Sequence, residues 1–323
     1  MRAAVYTRYG PPHTIRLLDT PRPTGRDDEI LVKVHSATVN RTDCGFLRGK
    51  PRFVRLFSGL SRPRKQILGN EFAGSVESIG TAVTSFAVGD RVFGYSGVNF
   101  GAQAEFLSVT EDGLVAVIPA GMTYEQAAPS TEGAHYAVNL IRAAAIDAGQ
   151  DVLVNGSTGA IGSAAVQLLK YAGAKVTAVC DTKNIELVRS LGADRVIDYT
   201  EQDFTTISDV FDVVIDAVGT STYIRCRPLL KGRGIYLSSD LGPGAQNPLL
   251  AMVTRFSRGT RVMFPIPRDR KADVIFLQRL MAHGDFRAVL DRSYPLAEIV
   301  EAYKYVETGM KVGNVVIRVT GES

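Results

Sequence analysis

The rhythm of apolar and polar positions changes once along this chain. Before Val117-Ile-Pro119 it runs as short strands between turn residues. Ile30, Val32, Val34 and Ser36 share one face of the segment beginning Glu29-Ile-Leu-Val-Lys-Val-His35, the period-two pattern of a half-buried strand. Phe72-Ala-Gly-Ser-Val-Glu-Ser-Ile79 and Gly89-Asp-Arg-Val-Phe-Gly94 continue that style. Beyond it, helical runs alternate with compact apolar strands. A helix over 124–145 precedes Val152-Leu-Val154, and a helix from Gly159 to about Ala172 leads to Val176-Thr-Ala-Val-Cys180. A helix near Ile185 to Leu191 leads to Arg195-Val-Ile-Asp198, and strands Phe211–Asp216 and Gly234–Leu237 follow. Repeated strand-helix-strand units require a parallel sheet with helices on both faces. The final strand, Val312–Val319, stands outside this alternation and is assigned to the first part. An α/β fold is therefore expected. Its β-rich domain comprises residues 1–122 and 266–323, interrupted over 123–265 by a doubly wound domain with a parallel sheet.

Composition narrows the class. At 323 residues, 45% hydrophobic and 22% charged, the chain matches a folded globular protein of about two domains. Thirty-seven Lys and Arg against 33 Asp and Glu are dispersed without a basic block, so no nucleic-acid partner is implied. Cys44, Cys180 and Cys226 are widely spaced and odd in number, which suits a reducing compartment and makes no metal pair. The charged N-terminus and the absence of an apolar run of ~18 residues lead to the expectation of a cytoplasmic protein with no membrane partner. Arg62-Pro-Arg-Lys65 and Leu241-Gly-Pro-Gly-Ala245 are expected as loops.

The chemistry concentrates in Val152-Leu-Val-Asn-Gly156-Ser-Thr-Gly159-Ala-Ile-Gly162, where a strand runs through a glycine turn into a helix start. Such a turn brings backbone N–H groups against a pyrophosphate, and the helix dipole favours the negative charge. A tight strand-helix contact explains the glycines without a ligand. Against that, a second strand follows and Asp181 stands 19 residues beyond Gly162, where an acidic group meets an adenosine ribose. Gly156, Ser157, Thr158, Gly159, Ala160 and Ile161 are accordingly assigned to dinucleotide binding.

These residues, with Ala172-Gly-Ala-Lys-Val-Thr-Ala178 and Leu191-Gly-Ala-Asp-Arg-Val-Ile-Asp-Tyr199, resemble the cofactor domain of the medium-chain dehydrogenase/reductase superfamily. Gly69-Asn70-Glu71-Phe-Ala-Gly74 and Val88-Gly-Asp-Arg-Val-Phe-Gly94 resemble that superfamily's G-H-E-x-x-G and G-D-R-V segments, so the similarity spans nearly the whole chain. It implies a Rossmann domain inserted in a GroES-like catalytic domain, with pairing into a homodimer. The departures choose the branch. Asn70 stands where zinc enzymes carry a metal-binding His, Asn40 and Thr131 stand near two of their cysteines, and the four-cysteine lobe is missing. Asn40-Arg-Thr-Asp43 instead resembles the zinc-independent quinone oxidoreductase branch, which implies hydride transfer from a nicotinamide cofactor to a conjugated carbonyl or quinone.

Without a metal, the oxygen that gains charge needs donors already in place. Asn40 either donates its amide to the substrate oxygen or the nicotinamide carboxamide, or caps the preceding strand as a turn residue. Asp43 either belongs to the catalytic set or orients Arg41 and bonds backbone. His135 occupies the place where relatives carry a Thr touching the nicotinamide. It either delivers a proton, with Glu132 one turn away fixing its tautomer, or is a satisfied histidine on a half-buried helix. Tyr95, with Asn99 in the loop Tyr95-Ser-Gly-Val-Asn-Phe-Gly101, is either a proton donor or a packing anchor. Arg52–Leu60 reads as a surface helix in preference to a lid.

Asp181, Thr182, Lys183 and Tyr199 gather at the adenosine end. Asp181 alone favours NADH and Lys183 favours NADPH. With Cys180 nearer the discriminating position, Asp181 is expected to pair with Lys183, and NADPH is preferred to NADH. Val218, in Asp216-Ala-Val-Gly219, ends a strand of the kind beyond whose carboxyl end ligands sit, and Phe264 and Asn314 match positions that in relatives approach the nicotinamide, although many relatives have Lys at the last. The expectation is a zinc-independent, NADPH-dependent reductase of a small conjugated carbonyl or quinone. Two rivals stand beside it: a zinc-type alcohol dehydrogenase with atypical ligands, and a non-enzymatic nucleotide-binding protein.

Overall fold

Strands β1 (Arg2–Val5), β2 (Arg16–Asp19), β3 (Glu29–Val39), β4 (Glu71–Ile79), β5 (Arg91–Tyr95), β6 (Phe106–Thr110) and β7 (Leu114–Val117) fill the first part of the chain. Between β3 and β4 lie α1 (Arg41–Arg48) and the five-residue α2 (Val54–Ser58), the surface helix expected near Arg52–Leu60. After β7 come α3 (Tyr124–Ala127) and α4 (Glu132–Ala144). Alternation then begins: β8 (Asp151–Asn155), α5 (Ala160–Tyr171), β9 (Lys175–Cys180), α6 (Ile185–Ser190), β10 (Arg195–Asp198), β11 (Phe211–Asp216), β12 (Leu230–Ser238) and β13 (Arg261–Met263). Strands β14 (Leu290–Pro295) and β15 (Asn314–Arg318) close the chain. The computed structural model describes residues 1–320.

Two units result, each with its own apolar core. Met1–Glu132 and the chain from Asp269 onward form the first, and Gly133–Arg268 form the second. In the first, β14-β15-β3-β4-β5-β7 make the main sheet, with β6 also pairing β3 and with β1-β2 as a separate ribbon. Strand β3 organises that sheet. Ile30, Val32 and Val34 are fully buried while Lys33 and His35 are half-buried, so the sequence alternation marks the core face. From Ser36 to Asn40 every residue is buried, and the alternation stops. One edge of β3 takes β6 along Glu29–Lys33 and then β15 along Ser36–Val39, which returns the final strand to the first unit.

In the second unit β10-β9-β8-β11-β12-β13 pair in parallel throughout. Val152, Leu153 and Val154 on the central β8 are fully buried, as a strand covered on both faces must be. The order reverses at β8, and in such sheets ligands sit beyond the carboxyl ends of the strands at that reversal.

The continuous helix expected over 124–145 is broken. Pro129 lies in a single 3₁₀ turn, Ala128–Ser130, and the N–H groups of Thr131 and Glu132 donate to the Glu71 carboxylate. This capture holds Thr131 and Glu132 in the first unit, so the chain crosses after Glu132 instead of near residue 122. The return crossing follows Arg268.

Close approach of β3 and β4 depends on Gly74, where an added Cβ would lie 2.1 Å from the Lys33 carbonyl oxygen. Gly74→Ala should therefore destabilise the chain by about 1–3 kcal/mol, the usual cost of overpacking. Urea unfolding measures this; an unchanged midpoint would show that the sheet has room there.

Candidate active site

In the second unit, the turn after β8 is shaped by two close contacts. Gly156 has φ +79°, and a Cβ there would lie 2.7 Å from Val218; a Cβ on Gly162 would lie 2.1 Å from the Gly156 carbonyl oxygen. Ser157 ties the turn to β9 by donating its hydroxyl and its N–H to the Val179 carbonyl at 2.7 and 3.2 Å. Gly159 caps α5 without a side chain, and a Cβ there would point into open space with only the Gly156 oxygen at 3.6 Å. A twelve-residue helix thus presents its first-turn N–H groups, around Ala160 and Ile161, to an uncrowded space. That donor set fits a pyrophosphate.

The other nucleotide candidates of this unit also lie beyond carboxyl ends of the parallel strands: Asp181, Thr182 and Lys183 after β9, Tyr199 after β10, Val218 after β11 and Phe264 after β13. The loop bearing Val218 is fixed by buried Asp216, which accepts from Asn155 Nδ2 and the N–H groups of Gly219 and Ser221 at 3.0–3.1 Å. One expectation is corrected here. Asp181 accepts from Asn184 Nδ2, not from Lys183, because the 3₁₀ turn Thr182–Asn184 brings Asn184 back over it. Lys183 is exposed and makes no ion pair among the described residues. Thr182 meets Thr200 through their hydroxyls at 2.9 Å, Tyr199 is 57% exposed, and Cys180 is buried too deeply to read a ribose.

His135 is buried on α4. Asn139 Oδ1 accepts from the Arg268 N–H, which fixes that amide and turns its Nδ2 toward His135 Nδ1 at 3.4 Å. The same Nδ2 donates to the His135 carbonyl at 2.9 Å. The Glu132 carboxylate goes to Thr42 and Asn70, which corrects its expected service to the tautomer of His135.

The first unit contains a buried polar cluster centred on Glu71. Its Oε2 accepts from Thr38 Oγ1 at 2.9 Å and Asn40 Nδ2 at 2.7 Å. Its Oε1 accepts from Thr131 N and Oγ1, both at 3.0 Å, and Glu132 N at 2.6 Å. Asn40 Nδ2 also donates to Thr38 Oγ1 at 3.2 Å, so both its hydrogens are taken and the buried Oδ1 faces no partner. The expectation that Asn40 donates to a substrate oxygen is thereby corrected, since its remaining capacity is to accept. Asn70 is similar, with Nδ2 on Glu132 Oε1 at 3.1 Å and Oδ1 buried without a partner. Asp43, fully buried, accepts from the N–H groups of Asn40 and Gly69 at 2.8 and 2.9 Å. It clamps the start of α1 to the turn before β4 and does not contact Arg41 by hydrogen bond.

Burial raises the proton affinity of all three carboxyl groups in this cluster. For Asp43 the rise is large, and the two backbone N–H groups oppose it. Glu71 is opposed by its donors, whereas burial and then the Glu71 charge push Glu132 up to about 7. Lys311 is the cation facing Glu132 and Glu71; burial lowers its proton affinity, and those carboxylates counter the effect. Tyr95, half-buried at the end of β5, pairs through its backbone with Glu71 and Leu114. Asn314 is buried at the start of β15, with Nδ2 on the Val289 carbonyl at 3.1 Å and Oδ1 without a partner. The sequence reading missed Thr38, Thr42 and Lys311. A Thr two residues before Asn40 and a Lys three before Asn314 were the available signs.

Known proteins carry the same pattern. Residues 26–120 match the family model described as alcohol dehydrogenase GroES-like domain, and residues 191–317 match that of zinc-binding dehydrogenase. The chain is 28% identical to the quinone oxidoreductase from Coxiella burnetii, with a TM-score of 0.88 over 99% of both chains. It is 29% identical to the NADPH-dependent alkenal/one oxidoreductase, chloroplastic, of Arabidopsis thaliana, over 98% of this chain and 79% of that protein. To the 2-methylene-furan-3-one reductase of Solanum lycopersicum it is 30% identical, again over 98% and 79%. Sequence and fold agree across both units, and the chain belongs to the medium-chain dehydrogenase/reductase superfamily, in its quinone-oxidoreductase-like branch.

Proposed function

We propose that this chain is a zinc-independent reductase that uses NADPH to reduce a small conjugated carbonyl or quinone. The observation that carries the reading is the chemistry of the first unit's cluster. It offers amide and carboxylate oxygens and threonine hydroxyls, without a thiolate or imidazole. Amide oxygens are poor zinc ligands, and Cys44 lies in the apolar core. Among the described residues no group of three or more His, Cys, Asp and Glu is placed to hold a metal.

When bound, NADPH supplies a hydride. The turn Gly156–Ile161 would hold its pyrophosphate, Val218 and Phe264 would lie on the cofactor's side of the second unit, and Asn40 Oδ1 would accept from an amide of the bound molecule. Asp43 would position Asn40 through its backbone N–H, and Tyr95 and His135 complete the proposed catalytic set. Asn314, with one Nδ2 hydrogen on Val289 and Oδ1 unpartnered, would offer that oxygen to the cofactor. NADPH is favoured over NADH because Asn184 occupies Asp181 while Lys183 stays available to a 2′-phosphate. Three free, buried cysteines support a reducing, cytoplasmic setting. No helix among the described residues is long and apolar enough to cross a membrane. Pairing into a homodimer would use the edge strand β13.

Oxidation of NADPH by enones and quinones should survive prolonged chelation. Activity lost with stoichiometric zinc and restored on its return would support an alcohol dehydrogenase with atypical ligands, and no oxidation by any such acceptor would leave a nucleotide-binding protein.

Lys183→Ala should raise KM for NADPH about tenfold or more, as loss of a charge-assisted contact does, and leave KM for NADH unchanged. Equal constants before and after substitution would return the discriminating role to Asp181.

A further inference from the structure

Hydride addition to an enone or quinone leaves an oxyanion that needs one proton per turnover, and most polar groups of the first unit cannot supply it. Both hydrogens on Asn40 Nδ2 are held by Glu71 and Thr38. Each oxygen of Asp43 accepts a backbone N–H, and the Thr131 hydroxyl is engaged with Glu71. Glu71 itself is surrounded by five donors, which oppose the rise that burial gives its proton affinity.

Glu132 differs. It is 5% exposed, and its donors, Thr42 Oγ1 at 2.6 Å and Asn70 Nδ2 at 3.1 Å, both meet Oε1. Its own N–H lies on Glu71 Oε1 at 2.6 Å, which ties the two acidic residues together. The Glu132 carboxyl has two donors where that of Glu71 has five, and the nearby Glu71 charge adds to burial in raising the proton affinity of Glu132. Thr42, at the start of α1, is half-buried and is the cluster's route outward.

We propose that Glu132 stores the proton that completes the reduction and releases it through the Thr42 hydroxyl to the oxygen of the reduced substrate. With Glu132 protonated, its hydrogen lies on the line from Oε1 to Thr42 Oγ1, and the Thr42 hydrogen turns away from Glu132. In the step, the Thr42 O–H bond breaks as the substrate O–H bond forms. The Glu132 O–H bond breaks as that of Thr42 re-forms. Glu132 is left as a carboxylate and takes its next proton from water; the enol so formed tautomerises to the saturated ketone, or a hydroquinone is released. Glu132 acts through Thr42 and is a positioning residue in that sense.

The charged groups facing Glu132 are Glu71 from β4, Asp43 from α1 and Lys311 from the segment before β15, with Arg41 of α1 acting on Lys311. Glu71 raises the proton affinity of Glu132 and Lys311 lowers it. The active form is the acid, so turnover falls as pH rises through about 7. Removing the Lys311 charge moves that fall to higher pH.

The inference rests on the reductase reading, and the test separates the two. NADPH oxidation by methyl vinyl ketone and by para-benzoquinone is followed against pH for wild type, Glu132→Gln, Thr42→Val, Thr42→Ser and Lys311→Met, with melting temperatures alongside. Glu132→Gln keeps the acceptor for Thr42 and Asn70. Its kcat should fall about 10²-fold with little change in KM, and the fall above neutral pH should vanish. Thr42→Val should match it, Thr42→Ser should retain wild-type behaviour, and Lys311→Met should shift the fall upward. A Glu132→Gln enzyme with wild-type kcat and pH profile overturns the proposal while the reductase stands. If that variant does not fold, equal activity of Thr42→Val and Thr42→Ser overturns it. A wild type that oxidises NADPH with neither acceptor overturns the reductase reading itself.

Discussion

One buried carboxylate, that of Glu71, gathers the polar groups of the first unit. It collects Thr38 and Asn40 from the end of β3, 33 and 31 residues before it, and Thr131 and Glu132 from the break between α3 and α4, 60 and 61 residues after it. A charge taken out of water must be compensated by hydrogen bonds, and each donor left without it would lose about 1–3 kcal/mol. The same contacts interrupt a helix that local sequence favours, and they determine which way the Asn40 amide faces. Its nitrogen is bound to Glu71, so its oxygen is the group left over.

This arrangement links charge to chemistry. A cluster at the positions where zinc enzymes place thiolate and imidazole instead contains two amides, three threonines and three carboxyl groups. Their orientation leaves acceptors, Asn40 Oδ1 and Asn70 Oδ1, without partners. Such a wall can accept from a donor on a bound molecule. It also concentrates negative charge, so that one member of the set, Glu132, is driven toward its acid form while Lys311 limits the excess. The second unit works by the opposite electrostatics. Its turn after β8 offers N–H groups and a helix dipole, which suit phosphate.

Much of this was legible along the chain. Period-two and strand-helix alternation report burial directly, so the strands from β8 to β12 and the glycine turn could be read from local pattern. The return of β15 to β3 was legible because an isolated strand must pair somewhere. The helix break at Thr131 was not, since the Glu71 carboxylate that captures its N–H is 60 residues away. Nor was the orientation of Asn40, which depends on which partner meets its nitrogen. Asp181 resolved to Asn184 instead of Lys183 for a local reason, the 3₁₀ turn, whose residues carry no strong sequence signal. Lys311 escaped because a lysine before a strand ordinarily faces solvent.

The central claim is that hydride reaches a conjugated carbon and a proton from the protein completes the reduction, with no metal polarising the carbonyl. The most direct measurement places isotopes in the product. Reduction of an enone with NADPH deuterated at the transferable position should put deuterium on the β-carbon, and reduction with ordinary NADPH in deuterated water should put it on the α-carbon. Deuterium from the cofactor on the carbonyl carbon, giving an allylic alcohol, would contradict the account.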